Sequence, residues 1–320
     1  MRDDARFQCV GYSEVCPYAL RVYRTHYPTH PYLGDVRNVT APDARVDLIV
    51  AGFPCTDLSA MKQIKCDESK RGLDAGGQSS LFFELLRVIK ACAKMNPAVH
   101  VVCENVHSMK ADVRARVTAC LKEALGDREV HVRCIDAAHF SPQRRKRLFW
   151  TTFPVPAPTT TGPLFRDVVS ADPDPRLYLK PRSYALANAL SPYGKGDKKH
   201  SRKTVTLPTF HPIGTTGWYA REDTEFKLSP SVRARNRWSN DYLAVSTLSE
   251  KSRTLTQAGL YVTEYNAAGH MRIRRMTDSE QHKLFNFPPG YCGDVHVKGL
   301  LAHSIVVGVL QYICTHYPLK

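Results

Sequence analysis

The chain has 320 residues, 43% of them apolar, which is enough to bury a sizeable core in one large α/β domain and a smaller one. No apolar run approaches the ~20 residues of a membrane-spanning helix, so the sequence predicts no membrane partner. The first residues, Met1 to Asp4, include three charged side chains and no apolar leader. We therefore expect an intracellular protein, located in the nucleus if it is eukaryotic or acts in a host cell and otherwise in the cytoplasm.

The formal net charge is +15, and most of it falls in one stretch. Residues 176–275 contain 18 Lys and Arg against 7 Asp and Glu. A clustered positive charge predicts a polyanionic partner, so this stretch is the best candidate for a phosphate-contacting surface. The alternative is a basic face that only keeps the protein soluble.

Ten cysteines are present, and none forms a Cys-x-x-Cys pair. Several lie within apolar runs, such as Cys103 and Cys314. This pattern predicts buried free thiols in a reducing compartment, and we expect no metal site.

Strand and helix patterns alternate in the first half of the chain. They predict, in order, a buried parallel strand at 46–51, a helix at 80–94, a strand at 99–103, a helix at 111–125, and strands at 130–135 and 147–152. The alternation indicates an α/β fold with a doubly wound, mainly parallel sheet. In such sheets the chemistry lies at the carboxyl ends of the strands.

The pattern changes after Phe153, where residues 154–163 are rich in proline and cannot form a regular helix or a central strand. The chain is irregular and basic as far as residue 270. A short helix is predicted at 277–285 and an apolar helix at 300–314. We therefore divide the chain into a first domain at 1–152, a second at 153–270, and a return segment at 271–320 that completes the first domain.

A Pro54-Cys55 dipeptide directly follows the first predicted strand. A cysteine behind a proline at the end of a strand lies in a stiff, accessible loop, which is where a nucleophile is held. Its thiolate is the reactive form. Taken alone, a Pro-Cys pair in this position is more often structural.

Glu104 and Asn105 end the next apolar strand. Both side chains are poorly suited to a core and well suited to a cleft. Solvation of the strand end is the competing interpretation.

Residues 143–147 read Gln-Arg-Arg-Lys-Arg and lead into a strand. The two-residue alternation of a strand sends Gln143, Arg145 and Arg147 to one face. Two arginines that converge suit a carboxylate, a phosphate or a base edge. A solvated basic run is the alternative.

In this order the three motifs resemble those of the cytosine-5 DNA methyltransferase family. Pro54-Cys55 resembles its Pro-Cys motif, Glu104-Asn105-Val106 its Glu-Asn-Val motif, and residues 143–147 its Gln-x-Arg-x-Arg motif. Further matches between about Phe7 and Ile313 are Ser80 to Glu84, Arg253 to Thr256, Arg275 to Thr277, Glu280, Leu284 to Pro288 and Tyr291. The residues after Cys55 and the start of the helix at 80–94 resemble the animal de novo branch.

The resemblance implies a methyltransferase fold that uses S-adenosylmethionine. It implies that Cys55 adds to C6 of a flipped cytosine, that Glu104 bonds N3 and the exocyclic amine, and that Arg147 holds O2 with support from Arg145. Double-stranded DNA is then the partner, and residues 153–270 are the target-recognition domain. Candidates for DNA contact in that domain are Arg233, Arg235, Arg237 and Trp238.

The resemblance also implies cofactor contacts at Glu14, which would bond the ribose, at Asp35 near the adenine, at Pro54 and at Ser304. Only thirteen residues precede Glu14, so the first strand, the glycine loop and the first helix of the family are missing. An incomplete sequence, a short protein that binds the cofactor weakly, and a partner chain that supplies the missing element are three explanations. We expect an exposed sheet edge, poor stability and weak activity. His303 also stands where the family usually has Asn, beside Ser304.

Two other functions fit the same residues. One is methylation of a cytosine in tRNA, although the large basic domain favours duplex DNA. The other is a regulatory DNA-binding protein derived from the family, although retention of Cys55, Glu104, Arg145 and Arg147 favours an enzyme.

Overall fold

The computed structural model describes residues 6–40, 44–55, 78–178, 209–213, 217–221, 244–246, 261–265, 271–295 and 300–319. The predicted DNA contacts Arg233, Arg235, Arg237 and Trp238, and the match at Arg253 to Thr256, lie outside these ranges. Within them, no helix is long and apolar enough to cross a membrane.

The N-terminal unit is a short β–α–β arrangement. Strand β1 (Tyr12–Ser13) pairs in parallel with β2 (Tyr32–Gly34), and helix α1 (Pro17–His26) connects them. Proline begins the helix, where its missing N–H costs no hydrogen bond. The Ser13 hydroxyl donates to the Gly34 carbonyl at 2.7 Å, so the carboxyl ends of the two strands are held together.

The main sheet has four strands in the order β3-β4-β6-β5. They are β3 (Leu48–Gly52), β4 (His100–Val106), β5 (His131–Asp136) and β6 (Lys146–Thr151). Helix α2 (Leu81–Met95) links β3 to β4, and α3 (Ala111–Ala124) follows β4. These elements confirm the α/β fold class, with ends within three residues of the prediction.

The predicted parallel character holds for β3 with β4 and for β1 with β2, whereas β6 runs antiparallel to both of its neighbours. The reason is the connection between β5 and β6, which contains only a 3-10 turn at Ala137–His139 and a short loop. A parallel pair would need a crossover of a dozen or more residues, so the two strands form a hairpin.

The prediction that the first strand of this sheet is buried is wrong. Residues 48–51 of β3 are each half-buried, while Val101, Val102 and Cys103 of the neighbouring β4 are buried. The cause is the position of β3, since no other described strand pairs with its second edge. Among the described strands, β3 is thus an edge strand of the main sheet.

Two apolar layers enclose the sheet. One lies between the sheet and helices α2 and α3, and it includes Phe82, Ile89, Leu121 and Trp150. The other lies between the opposite face and the return segment, which contains helices α4 (Asp278–Leu284) and α5 (Val307–Thr315). The described residues of the return segment therefore contribute to one of the two apolar layers of this sheet.

The apolar helix predicted at 300–314 is divided. Turn residues 302–304 interrupt it, and α5 begins only at Val307, whose N–H donates to the Phe285 carbonyl at 3.1 Å. The interruption leaves the carbonyls of Ala302 and Ser304 without helical partners, and the guanidinium of Arg145 hydrogen-bonds both. Apolar periodicity does not predict these contacts, because Arg145 lies 157 residues from Ala302 in sequence.

Five described strands lie between residues 209 and 275. Strands β7 (Thr209–Ile213) and β8 (Gly217–Arg221) form a hairpin. Strands β9 (Ala244–Ser246), β10 (Tyr261–Tyr265) and β11 (Met271–Arg275) form a sheet in the order β11-β10-β9. Val262 of β10 is fully buried in the layer beneath the return segment.

The stability of the first layer should depend on Phe82, which is fully buried, with its ring centroid 4.8 Å from that of Phe53. We expect Phe82→Ala to lower the free energy of unfolding by about 3–5 kcal/mol, because it removes a large buried ring and leaves a cavity. Phe82→Leu should cost clearly less. Denaturant unfolding measures all of these changes.

Val132→Ala is the control, since Val132 is 38% exposed and its replacement should change the unfolding free energy by no more than about 0.5 kcal/mol. Equal effects of Phe82→Ala and Val132→Ala would contradict the assigned core.

Candidate active site

Two side-chain hydrogen bonds fix the loop that carries Cys55. The Asn105 side-chain amide donates to the Phe53 carbonyl at 2.9 Å, and the Ser79 hydroxyl donates to the Pro54 carbonyl at 2.8 Å. The prediction that Asn105 lies in a cleft is wrong, because this residue is buried. Asn105 lies on the opposite face of β4 from Glu104 and contacts the loop from that face. Both carbonyls ahead of Cys55 are therefore anchored.

Glu104 and Arg147 form an ion pair at the carboxyl end of β4. Arg147 Nε lies 3.0 Å from Glu104 Oε1, with only 17% of the arginine and 14% of the glutamate side chain exposed. The antiparallel register places Glu104 opposite Phe149 and Arg147 opposite Val106, so the two charged side chains are diagonal neighbours on one face. Strand pairing thus sets the geometry of the pair.

Gly52 makes room for this pair. In the parallel register it lies directly beside Glu104. A Cβ atom at Gly52 would lie 3.3 Å from Glu104 Oε2, which is a tight contact. A larger residue would therefore push the carboxylate out of place.

Gln143 and Arg145, which the alternation placed with Arg147, bind the return segment. The Gln143 amide donates to the Leu284 carbonyl at 3.1 Å. Arg145 is 4% exposed, donates to the Ala302 and Ser304 carbonyls at 2.8 and 3.1 Å, and lies 5.1 Å from the Phe285 ring centroid. Arg145 therefore ties β6 to the turn before α5.

Electrostatic interactions connect Cys55, Glu104, Arg145 and Arg147 in one group, which we name the Cys55 cluster. Burial raises the pKa of the Cys55 thiol, the positive charges of Arg147 and Arg145 lower it, and the charge of Glu104 raises it further. The net shift is upward. The thiol is therefore the resting form at neutral pH.

Glu104 is also shifted towards its neutral form. Burial raises the pKa of Glu104, and the attraction of Arg147 and Arg145 offsets only part of this effect. Burial and the neighbouring charge of Arg147 lower the pKa of Arg145 to about 9. The cluster thus holds a carboxyl group that takes up a proton more readily than an ordinary glutamate.

The predicted ribose-binding residue Glu14 lies at the carboxyl end of β1. Its Oε1 accepts the backbone N–H groups of Val15 and Cys16, both at 2.8 Å, just ahead of α1. The Tyr32 hydroxyl donates to the Glu14 carbonyl at 2.8 Å, which ties this corner to β2. Oε2 makes no hydrogen bond with the described part of the chain, so an acceptor is available there.

Asp35 follows β2 and is held by Arg37. Arg37 Nε donates to the two carboxylate oxygens of Asp35 at 3.1 and 3.0 Å, and these bonds lower the pKa of Asp35 to about 2. A ligand at Asp35 would have to share or displace Arg37.

The remaining two predicted cofactor residues lie beside the Cys55 cluster. Pro54 precedes Cys55, and the Ser304 carbonyl accepts from Arg145. The Ser304 hydroxyl donates to the Leu300 carbonyl at 3.1 Å, and the neighbouring His303 is exposed.

Two residues with a role at the site were not identified from the sequence. Asp136 Oδ1 accepts the backbone N–H groups of Ala138 and Arg145, at 3.1 and 2.9 Å, which fixes the loop before Arg145. Its position as the last residue of a strand was the available signal. Ser79 precedes α2 and carried no pattern that predicts its bond to Pro54.

Comparison with known proteins agrees with this geometry. A model of the C-5 cytosine-specific DNA methylase family matches residues 2–317. The type II methyltransferase M.MspI of Moraxella sp. is 31% identical over 319 residues, which are 98% of this chain and 65% of that protein. The DNA-cytosine methyltransferase of Escherichia coli is 28% identical over 180 residues, 46% of this chain and 37% of that protein. The chain spans less than two thirds of both relatives.

Solved structures show the same fold. A DNMT2 variant of Spodoptera frugiperda superposes with a TM-score of 0.62 at 14% identity, over 96% of this chain and 91% of that one. The S. pombe Dnmt2 methyltransferase gives a TM-score of 0.57 at 14% identity, over 96% and 90%. These likenesses show that the chain has the α/β fold of both structures. The chain belongs to the C-5 cytosine-specific DNA methylase family.

The charges around Cys55 should control its reactivity in a predictable direction. Glu104→Gln removes a charge that raises the pKa of Cys55, so alkylation of Cys55 at neutral pH should be faster. Arg147→Met removes a charge that lowers the same pKa, so alkylation should be slower. The rate of iodoacetamide labelling against pH, followed by mass spectrometry of the Cys55 peptide, measures both effects.

The experiment is made in a Cys134→Ser background, since Cys134 is exposed. Lys90→Gln, which removes a cation on the outer side of α2, should leave the profile unchanged. Profiles of Glu104→Gln and Arg147→Met that move in the same direction would show that the assigned charges do not act on Cys55.

Proposed function

We propose that this protein transfers a methyl group from S-adenosylmethionine to C5 of a cytosine in DNA, with Cys55 as the nucleophile. The observation that carries the proposal is the Glu104–Arg147 ion pair, 3.0 Å long and mostly shielded from solvent, in electrostatic contact with Cys55. This cluster holds a nucleophile, a proton donor and a fixed positive charge at one edge of the sheet.

The chemistry requires each of these groups. Cytosine C5 is a poor nucleophile until a bond forms at C6. The Cys55 thiolate supplies that bond, and the electron pair displaced from the C5–C6 double bond makes C5 reactive. Loss of the C5 proton and cleavage of the S–C6 bond then restore the aromatic ring and release the thiolate.

Glu104 and Arg147 would stabilise the base while Cys55 adds. The raised pKa of Glu104 suits a carboxyl group that donates a proton to N3 and accepts from the exocyclic amine. Arg147 would hold O2. When Glu104 is protonated, it no longer carries the negative charge that raises the pKa of Cys55, whereas Arg147 still lowers that pKa. Binding of a base that pairs with protonated Glu104 therefore favours the Cys55 thiolate. Because Arg145 is engaged with the return segment, we assign it a positioning role.

S-adenosylmethionine, when bound, supplies an electrophilic methyl group on a positively charged sulfur. Glu14, with one carboxylate oxygen available at the end of β1, suits the ribose hydroxyls. Asp35, Pro54 and Ser304 are proposed to line the same site. No other described strand pairs with the outer edge of β3, so a strand from a partner chain would fit there. An assay of the purified chain alone tests whether that addition is required.

Double-stranded DNA is the proposed substrate, and residues 153–270 are the proposed recognition domain, with 1–152 and 271–320 forming the catalytic domain. Residues 176–275 contain 18 cationic and 7 anionic residues, and this excess of positive charge supports DNA as the partner. A base inside a duplex cannot reach Cys55, so the target cytosine is flipped out. RNA, methylated by the same chemistry, is the alternative substrate.

Methyl transfer tests this proposal directly. The purified chain is incubated with labelled S-adenosylmethionine and either unmethylated duplex DNA or tRNA. We expect label at cytosine C5 of the DNA, and we expect Cys55→Ala to lower the rate by at least about 10³-fold, because no other group forms the bond to C6. Cys134→Ser, which replaces an exposed cysteine, should keep the full rate.

Full activity in Cys55→Ala would overturn the assigned nucleophile. Label in tRNA alone would change the substrate to RNA. DNA binding without transfer, in the chain alone and with an upstream extension, would favour a regulatory protein.

A further inference from the structure

Helix α2 is attached to both of the loops that carry the proposed cofactor residues Asp35 and Pro54. Just ahead of the helix, the Ser79 hydroxyl donates to the Pro54 carbonyl at 2.8 Å. Further along the helix, Arg87 reaches the 3-10 turn Val36–Asn38, which directly follows Asp35. One helix therefore contacts two loops that are far apart in sequence.

The guanidinium of Arg87 binds three backbone carbonyls of the turn after Asp35. Its Nη1 donates to the Val39 carbonyl at 2.7 Å, and its Nη2 donates to the Val36 and Arg37 carbonyls at 2.8 and 3.2 Å. A planar guanidinium carries five N–H donors in a fixed arrangement, so it can bind several carbonyls at once, whereas an ammonium group cannot reproduce this geometry. Arg87 therefore clamps the turn to α2.

Glu84 orients this guanidinium from the helix side. Its Oε2 accepts a hydrogen bond from Arg87 Nε at 2.9 Å, across the three-residue spacing of neighbours on one helix face. Nε thus binds within α2, and both Nη atoms bind the turn. The hydrogen bonds to Asp35 raise the pKa of Arg37, and the charge of Glu84 raises it further, so α2 also attracts the turn electrostatically.

Strand pairing does not set the spacing of the two loops, since the described strands β1 and β2 pair only with each other. We propose that Arg87 is a positioning residue that holds the Asp35 turn in register with the Cys55 loop for binding of S-adenosylmethionine. This inference rests on the proposed function, in which Asp35 and Pro54 line the cofactor site. A site that is ordered before its ligand arrives binds more tightly, because less conformational freedom is lost on binding.

The test is Arg87→Met, which keeps an unbranched apolar stem and removes the donors. We expect the Kd for S-adenosylmethionine, measured by calorimetry, to rise about fivefold to fiftyfold, because the two loops are no longer held in register. The kcat for methyl transfer at saturating cofactor should change less than about twofold, since the Cys55 cluster is untouched. Arg87→Lys, which keeps the charge and loses the planar donor array, should give an intermediate Kd.

Arg128→Met is the matched control. Arg128 Nη1 donates to the Pro97 and Val99 carbonyls at 3.0 and 2.6 Å, so this arginine also clamps backbone, but ahead of β4 and away from the carboxyl ends of the strands. The control variant should melt at a lower temperature and bind S-adenosylmethionine as the unmodified chain does. A merely structural role of Arg87 predicts instead that both variants lose cofactor affinity in proportion to their loss of thermal stability.

An Arg87→Met protein that is folded and binds S-adenosylmethionine with unchanged Kd overturns the proposal. Hydrogen exchange gives a second test that needs no cofactor.

The Asn38 and Val39 N–H groups close the turn by donating to the Asp35 and Val36 carbonyls at 2.9 and 3.3 Å. Both should exchange at least about tenfold faster in Arg87→Met, because the turn opens more often, and at the unmodified rate in Arg128→Met. Unchanged exchange in Arg87→Met would overturn the proposal. If the unmodified chain does not bind S-adenosylmethionine, the proposed function fails, while the exchange rates still decide whether Arg87 fixes the turn.

Discussion

The Glu104–Arg147 ion pair is the interaction on which the proposed chemistry depends. It joins β4 to β6 by a diagonal contact that the antiparallel register makes unavoidable, and Gly52 leaves the space for it. Burial raises the pKa of Glu104, so this carboxylate takes up a proton more readily than an ordinary glutamate. In the proposed mechanism, the arrival of a base changes the charge of Glu104 and so activates Cys55.

The surrounding structure keeps this arrangement fixed. Asn105 and Ser79 hold the loop that carries Cys55, and Asp136 holds the loop that carries Arg145. Arg145 then binds the turn at residues 302–304, in a segment that also buries Phe285 and Ile313 against the sheet. The first and last parts of the chain thus form one core, and the site forms only when both are in place.

Much of the first domain could be predicted from apolar periodicity, because its strands and helices bury continuous faces. Periodicity failed where long-range contacts decide the outcome. The strand at 46–51 has a buried-strand sequence, yet no other described strand pairs with the second edge of β3. The helix predicted at 300–314 is interrupted at the turn whose carbonyls Arg145 binds.

The candidate site was predicted from ordered motifs, and the structure brings Cys55, Glu104 and Arg147 within electrostatic reach of one another. The spacing of the motifs could not distinguish residues that face the site from adjacent residues that support it. Asn105 was expected in a cleft and is buried, where it anchors the Cys55 loop. Arg145 binds the return segment. The hydrogen bonds of the Glu280 carboxylate were equally hidden, because its donors come from residues 170, 274 and 277. Hydrogen bonds between distant segments leave no periodic signal.

The central claim is that Cys55 forms a covalent bond to cytosine C6, and trapping of that bond tests it most directly. Duplex DNA that carries 5-fluorocytosine blocks the final step, since fluorine at C5 cannot leave as a proton does. With S-adenosylmethionine present, we predict a stable protein–DNA adduct whose mass maps to the Cys55 peptide. An adduct on another cysteine, or its formation in Cys55→Ala, would contradict the account.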